Sequence, residues 1–116
     1  MSNALNDGRM DYIEFGTTHL GETKHFFTTT FGWTFRDYGD DYASFEDGRL
    51  AGGFSTEVIP GASPLIVLYA HNLEATLAKV KANGGTIVRQ IFDFPGGRRF
   101  HFIEPGGSEL GVWSDN

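Results

Sequence analysis

The chain contains no cysteine. That excludes disulfides, thiolate nucleophiles and thiolate metal ligands, and it fits a reducing cytoplasm. Lysine and arginine are scarce: nine basic residues stand against fifteen Asp and Glu, leaving a formal charge of -6. Nucleic-acid binding needs clustered cations to neutralise phosphates, so no nucleic-acid partner is expected. No apolar run approaches membrane-spanning length and the N-terminus lacks a signal-peptide pattern, so the expectation is a soluble, cytoplasmic protein with no membrane partner. Ser2-Asn3-Ala4 reads as an expression-tag remnant, and residues 1–9 are set aside as remnant or disordered.

What the chain does have is phenylalanine and glycine, eleven and sixteen of them. That mixture suits strands bent around a cavity and joined by tight turns. At 116 residues the chain fits one compact domain with a core large enough to dispense with covalent staples.

The clearest helix is Leu73 to Asn83, with Asn72 as N-cap, Glu74 in the first turn, Lys79 and Lys81 near the end, and Gly84-Gly85 to stop it. Leu73, Leu77 and Val80 form its apolar stripe. PLIVLYA before it and TIVRQIF after it read as strands, followed by the hairpin RRFHFIEPGGSELGVW. The first half repeats this order: DYIEFGT as a strand, a helix from His19 to about Phe31, then WTFRDYG, DYASFED and RLAGGFS as strands. The domain over 10–114 therefore consists of module one (10–56), a linker (57–63) containing Pro60-Gly61, and module two (64–114). A curved sheet with a helix on its convex side leaves a concave face, which a second half-barrel or a ligand must cover.

Successive strand residues point to opposite faces, so RRFHFIEPGGSELGVW sorts into two sets. Phe100, Phe102, Leu110 and Val112 share an apolar face. Arg99, His101, Glu109 and Trp113 share the other with Gly111. On DYIEF, Tyr12 and Glu14 alternate with the apolar Ile13 and Phe15. FDFPGGRR has the look of a phosphate cradle but lacks the lysine and following helix of such loops, and it reads as a flexible lip. His19, His25 and His71 fit no metal spacing and are assigned to solvated surface.

In order and spacing, YIEF…HL…FFTTTFGW and LYAHNLEATLAKVKANGG with PGGRRFHFIEPGGSELGVW resemble the vicinal oxygen chelate superfamily. This is the glyoxalase, bleomycin-resistance and extradiol-dioxygenase group, and the similarity is to its single-domain glyoxalase-related proteins without assigned chemistry. The resemblance covers residues 10–114. It implies an α+β fold of two tandem βαβββ modules, forming a curved eight-stranded half-open barrel with helices outside, and a homodimer. Metal-dependent members of the family take ligands from the first and last strands of each module. The matching positions are Tyr12, Leu65, Gly53 and Gly111, and the last three carry no donor. Tyr12 would have to lose its phenolic proton to bind a divalent ion well. No metal and no cofactor is therefore expected.

Candidate catalytic residues are Glu14, His101 and Arg99. His101 titrates near neutrality and suits acid–base work if Glu14 or Glu109 orients it, while Arg99 suits a carboxylate or a developing enolate. Against this stands a purely structural ion-pair network, with Glu14 bridged to Arg99. Tyr12, Tyr69, Glu109 and Trp113 are candidate ligand-binding residues, with aromatic barrel filling as the alternative. The chain thus reads as a metal-independent glyoxalase-like protein that holds a small organic molecule in the cavity between its modules. A sequestering role for an aromatic or cationic compound and a lyase- or isomerase-like proton transfer beside a carbonyl both remain open. The alternative is a metal-dependent lyase or dioxygenase of the same superfamily.

Overall fold

A computed structural model describes residues 3–62 and 64–116. Met1, Ser2 and Ser63, the last of these in the expected linker, lie outside the described residues. The protein is α+β, with strands β1 (Met10–Gly16), β2 (Thr34–Asp37), β3 (Tyr42–Glu46), β4 (Ala51–Ser55), β5 (Leu65–Tyr69), β6 (Thr86–Phe94), β7 (Gly97–Ile103) and β8 (Glu109–Ser114). Helix α1 (Leu20–Phe31) follows β1 and helix α2 (Leu73–Ala82) follows β5. The chain divides into two compact units. One is Tyr12–Leu65; the other is Ile66–Asn116 together with the segment up to Asp11.

In the Tyr12–Leu65 unit, β1 runs parallel to β4, β4 antiparallel to β3, and β3 antiparallel to β2. Ala43, Phe45 and Phe54 are buried, and the core around them is aromatic. Phe15 stacks on Phe54 at 5.2 Å between centroids, and Trp33 stacks on Phe45 at 4.5 Å and on Phe27 of α1 at 4.4 Å. Helix α1 itself has no fully buried residue; Phe27 is its half-buried anchor, while Phe26 and Phe31 remain exposed. It ends at Gly32, whose left-handed φ of 76° lets two amides turn back onto the Phe27 and Thr28 carbonyls.

The second unit repeats the plan: β5 lies parallel to β8, β8 antiparallel to β7, and β7 antiparallel to β6. Helix α2 starts where Asn72 accepts a hydrogen bond from the Ala75 amide at 3.0 Å. Its stripe of Leu73, Leu77 and Val80 packs with Phe100, Phe102, Leu110 and Val112, the apolar face read from the alternation. Full burial of Phe100 alone stabilises the unit by about 1.5–3 kcal/mol.

Two details differ from expectation. The FDFPGGRR segment is the end of a ladder: Phe94 pairs with Gly97, so Pro95 and Gly96 close a two-residue hairpin turn where a lip was expected. Paired backbone on both sides satisfies its amides, which a loose lip would leave to water. Residues 3–9 were set aside, yet Asn3–Asn6 form a 3-10 turn, and Gly8 and Arg9 bond the backbone of Tyr69 at 2.7 and 3.0 Å. Among the described residues no helix is long and apolar enough to cross a membrane.

Candidate functional site

In the Tyr12–Leu65 unit the strand register sets Glu14 beside Gly53. The Tyr42 hydroxyl donates to Glu14 Oε2 at 2.9 Å, and the Tyr12 and Tyr42 hydroxyls lie 2.8 Å apart. A phenol has one hydrogen, so with Tyr42 donating to Glu14 the order of donation runs Tyr12 to Tyr42 to Glu14. Burial, and next the negative charge of Glu14, push the Tyr42 phenol above its ordinary range, so it stays a donor at neutral pH. Glycine at 53 makes room for this chain: a Cβ there would sit 2.0 Å from Tyr42 Oη and 2.9 Å from Tyr12 Oη.

On the polar face of the second unit, Arg99 Nε donates to His101 Nε2 at 3.1 Å, and His101 Nδ1 lies 3.3 Å from Glu109 Oε2. With Nε2 accepting, the neutral imidazole carries its proton on Nδ1 and donates it to Glu109. Burial of the ring, and next the Arg99 charge, hold the His101 pKa below its ordinary 6.5. Of the two glutamates flanking the histidine in sequence, Glu109 orients it. Glu104 instead accepts from the amides of Gly106 and Ser108, which lower its pKa, and it holds the turn between β7 and β8. Gly111 pairs with His101, and a Cβ there would meet His101 Cδ2 at 3.4 Å and Arg99 Nη2 at 3.5 Å.

Tyr69 and Trp113 meet edge to face at 5.2 Å. Tyr69 donates to Asp115 Oδ1 at 2.5 Å, which raises the phenol pKa, and Trp113 Nε1 donates to Asp11 Oδ2 at 2.8 Å. Their polar handles are thus held by protein carboxylates; the Tyr69 ring is buried and the Trp113 ring half-buried. The structure brings Arg99, His101 and Glu109 into one network, and it joins Tyr12 to Glu14 through Tyr42. The sequence reading missed Tyr42, although Ala43 and Phe45 alternate with it and point to its face. It also missed Arg89, Phe92 and Phe94. Their placement depends on register shifts in β6 on both sides of Arg89, which no periodicity reveals.

A family model for the glyoxalase/bleomycin resistance protein/dioxygenase superfamily matches residues 9–112. The chain belongs to this superfamily. It is 27% identical over 121 residues to "Putative glyoxylase CFP32" of Mycobacterium tuberculosis, covering 94% of this chain and 46% of the relative. The same identity and coverage hold for the protein of that name from Mycobacterium bovis, so the chain spans about half the length of these curated relatives. Among solved superfamily-like folds, the methylmalonyl-CoA epimerase of M. tuberculosis superposes with a TM-score of 0.71 at 10% identity, covering 98% of this chain and 92% of the epimerase. The Mn(II)-bound glyoxalase of Novosphingobium aromaticivorans gives a TM-score of 0.68 at 22% identity, covering 91% of this chain and 38% of that one. At such identities these likenesses show the fold alone.

The superfamily resemblance raises the question of a metal ion, and the residues present do not fit one. Gly53 and Gly111 offer no donor and Leu65 is apolar. A ligand side chain at 53 would collide with the Tyr42 oxygen, and the raised pKa of that phenol works against the phenolate a metal would need. Among the described residues no group of three or more His, Cys, Asp or Glu is placed to hold an ion.

Proposed function

We propose that this superfamily member binds a small organic molecule without a metal ion, on the polar face that carries Arg99, His101 and Glu109. The observation behind this reading is the 3.1 Å hydrogen bond from Arg99 Nε to His101 Nε2. An imidazole whose lone pair accepts from a guanidinium is not open to take a substrate proton, so His101 serves to position Arg99. Arg99 is thereby held in a set direction beside the half-buried ring of Trp113, its partner across the β7–β8 ladder. Recognition and sequestration follow more directly from this arrangement than turnover does. A cytoplasmic homodimer belongs to the same proposal, on the strength of the resemblance and the missing cysteines.

A second reading places proton transfer beside a carbonyl at Glu14, because Tyr42 and Tyr12 orient that carboxylate through a chain of hydroxyls. Both readings meet one experiment. Protein purified without chelator is assayed for Zn, Ni, Fe and Mn, then screened by thermal shift against a library of small organic compounds with and without EDTA. Substoichiometric metal, and ligand-induced stabilisation that ignores EDTA and weakens in Arg99→Ala, are expected. Stoichiometric metal or EDTA-sensitive binding would overturn the metal-free reading. Turnover of a bound compound that Glu14→Gln abolishes would move the assignment from the first reading to the second.

A further inference from the structure

The segment ahead of β1 is fastened to the second unit by hydrogen bonds. Asn3–Asn6 form a 3-10 turn, Arg9 N donates to the Asn6 carbonyl at 2.8 Å, and Gly8, at a left-handed φ of 75°, lets the chain turn onto β5. There Gly8 N donates to the Tyr69 carbonyl at 2.7 Å and Tyr69 N donates to the Arg9 carbonyl at 3.0 Å. The Asp7 carboxylate accepts from the His71 amide at 3.0 Å. Asp11 uses both of its oxygens: Oδ1 accepts from Asn6 Nδ2 at 2.6 Å and Oδ2 from Trp113 Nε1 at 2.8 Å. The large apolar side chains of the segment add little burial, since Leu5 is 80% exposed and Met10 69%.

A segment held by hydrogen bonds with little apolar burial opens and recloses well below the free energy of global unfolding. The grip of this one falls on a particular pair. It holds the backbone of Tyr69 and the indole of Trp113, whose rings meet edge to face at 5.2 Å. Trp113 pairs with Arg99 across the β7–β8 ladder, and its ring lies 6.1 Å from that of Phe94. An indole has one polar hydrogen, so the bond to Asp11 fixes which way the ring is turned. Losing that bond deprives a half-buried N–H of its acceptor and frees the ring to leave its place beside Arg99.

We propose that residues 3–11 form a reversible strap and that Asp11 is the positioning residue for Trp113, so that closing the strap completes the face on which the small organic molecule binds. The part played in ligand binding rests on the proposed function, whereas the hold on Trp113 does not. By linkage, a compound that packs against Trp113 tightens the strap by the same factor as the closed strap tightens the compound. Residues set aside in the sequence as remnant or disordered thereby belong to the site.

Hydrogen exchange of the isotope-labelled full chain, followed by NMR, tests it at the Trp113 indole proton and the Gly8 amide. Both are expected to exchange at least about tenfold faster in Asp7→Ala, which removes the bond to His71 and not the one to Trp113, while the amides of the β7–β8 ladder stay as slow as in the parent. Asp11→Leu should speed both protons, and Asp11→Asn, whose carbonyl still accepts from the indole, should restore parent-like exchange. The compounds retained from the thermal-shift screen, titrated singly by calorimetry, should bind at least about tenfold more weakly to Asp11→Leu and about as tightly to Asp11→Asn. Each should also slow Gly8 exchange in the parent. An indole proton indifferent to Asp11→Leu would overturn the proposal, as would Gly8 and the indole failing to move together in Asp7→Ala. Equal acceleration along the β7–β8 ladder would overturn it too, since the whole unit would then have loosened, and so would unchanged compound affinity in Asp11→Leu. A screen that retains no compound would remove the proposed function and the part of the strap in it, while exchange still decides its hold on Trp113.

Discussion

Arg99 and His101 lie two residues apart on β7, and the guanidinium Nε of the first donates to the imidazole Nε2 of the second at 3.1 Å. A strand sends such neighbours to one face, and their contact sets the tautomer of the histidine, while burial, and next the Arg99 charge, favour its neutral form.

Acid should therefore weaken the fold through His101. Burial first, and Arg99 next, lower its folded pKa below 6.5, so the unfolded chain takes up the proton at higher pH. The stability contributed by the neutral ring is fully present above 6.5 and is lost as pH falls through the lower folded value. Urea denaturation between about pH 7.5 and pH 5 should show the parent losing stability relative to His101→Gln. Parallel pH profiles for the two proteins would contradict this.

The two glycines opposite the site residues should respond differently to a methyl group. At 53 the added Cβ would overlap Tyr42 Oη at 2.0 Å, whereas at 111 its contacts of 3.4 and 3.5 Å are ordinary or nearly so. Gly53→Ala is expected to cost about 1–3 kcal/mol and Gly111→Ala less than about 1 kcal/mol in the same urea assay. Equal costs would show that the phenol chain moves aside freely.

Removing the hydroxyl of Tyr42 leaves the half-buried Glu14 carboxylate without that donor. Tyr42→Phe should destabilise the protein by about 1–3 kcal/mol, and Tyr12→Phe, one link farther from the charge, by less. Denaturant midpoints of the two variants decide the order; a reversed order would mean that Tyr12 is the direct support of Glu14.

Much of the fold was readable from local pattern. Phe100, Phe102, Leu110 and Val112 alternate with polar neighbours, and they pack with α2 as that alternation requires. Asn72 caps α2, and Glu74, Lys79 and Lys81 stand where the helix dipole favours them. The candidate site was readable in outline only. Placing His101, Glu109 and Arg99 on one face needs nothing beyond the period of a strand. Choosing Glu109 over Glu104 as the partner of His101 needs the length of the β7–β8 turn, in which Glu104 is taken up by the amides of Gly106 and Ser108. Tyr42 reaches Glu14 from a strand twenty-eight residues away, across β4.

Composition and periodicity were enough for the order of elements, the sidedness of β1, β7 and β8 and the absence of thiol chemistry, because each follows from residue types or from interactions between near neighbours in the chain; the resemblance supplied the fold class. Long-range strand pairing settled the rest. It set the register that puts Glu14 beside Gly53, the slips in β6 that lay Arg89 on Phe92, and the hydrogen bond that makes His101 an acceptor. Those contacts depend on how distant strands align, and a single residue of slippage would turn every one of these side chains to the opposite face.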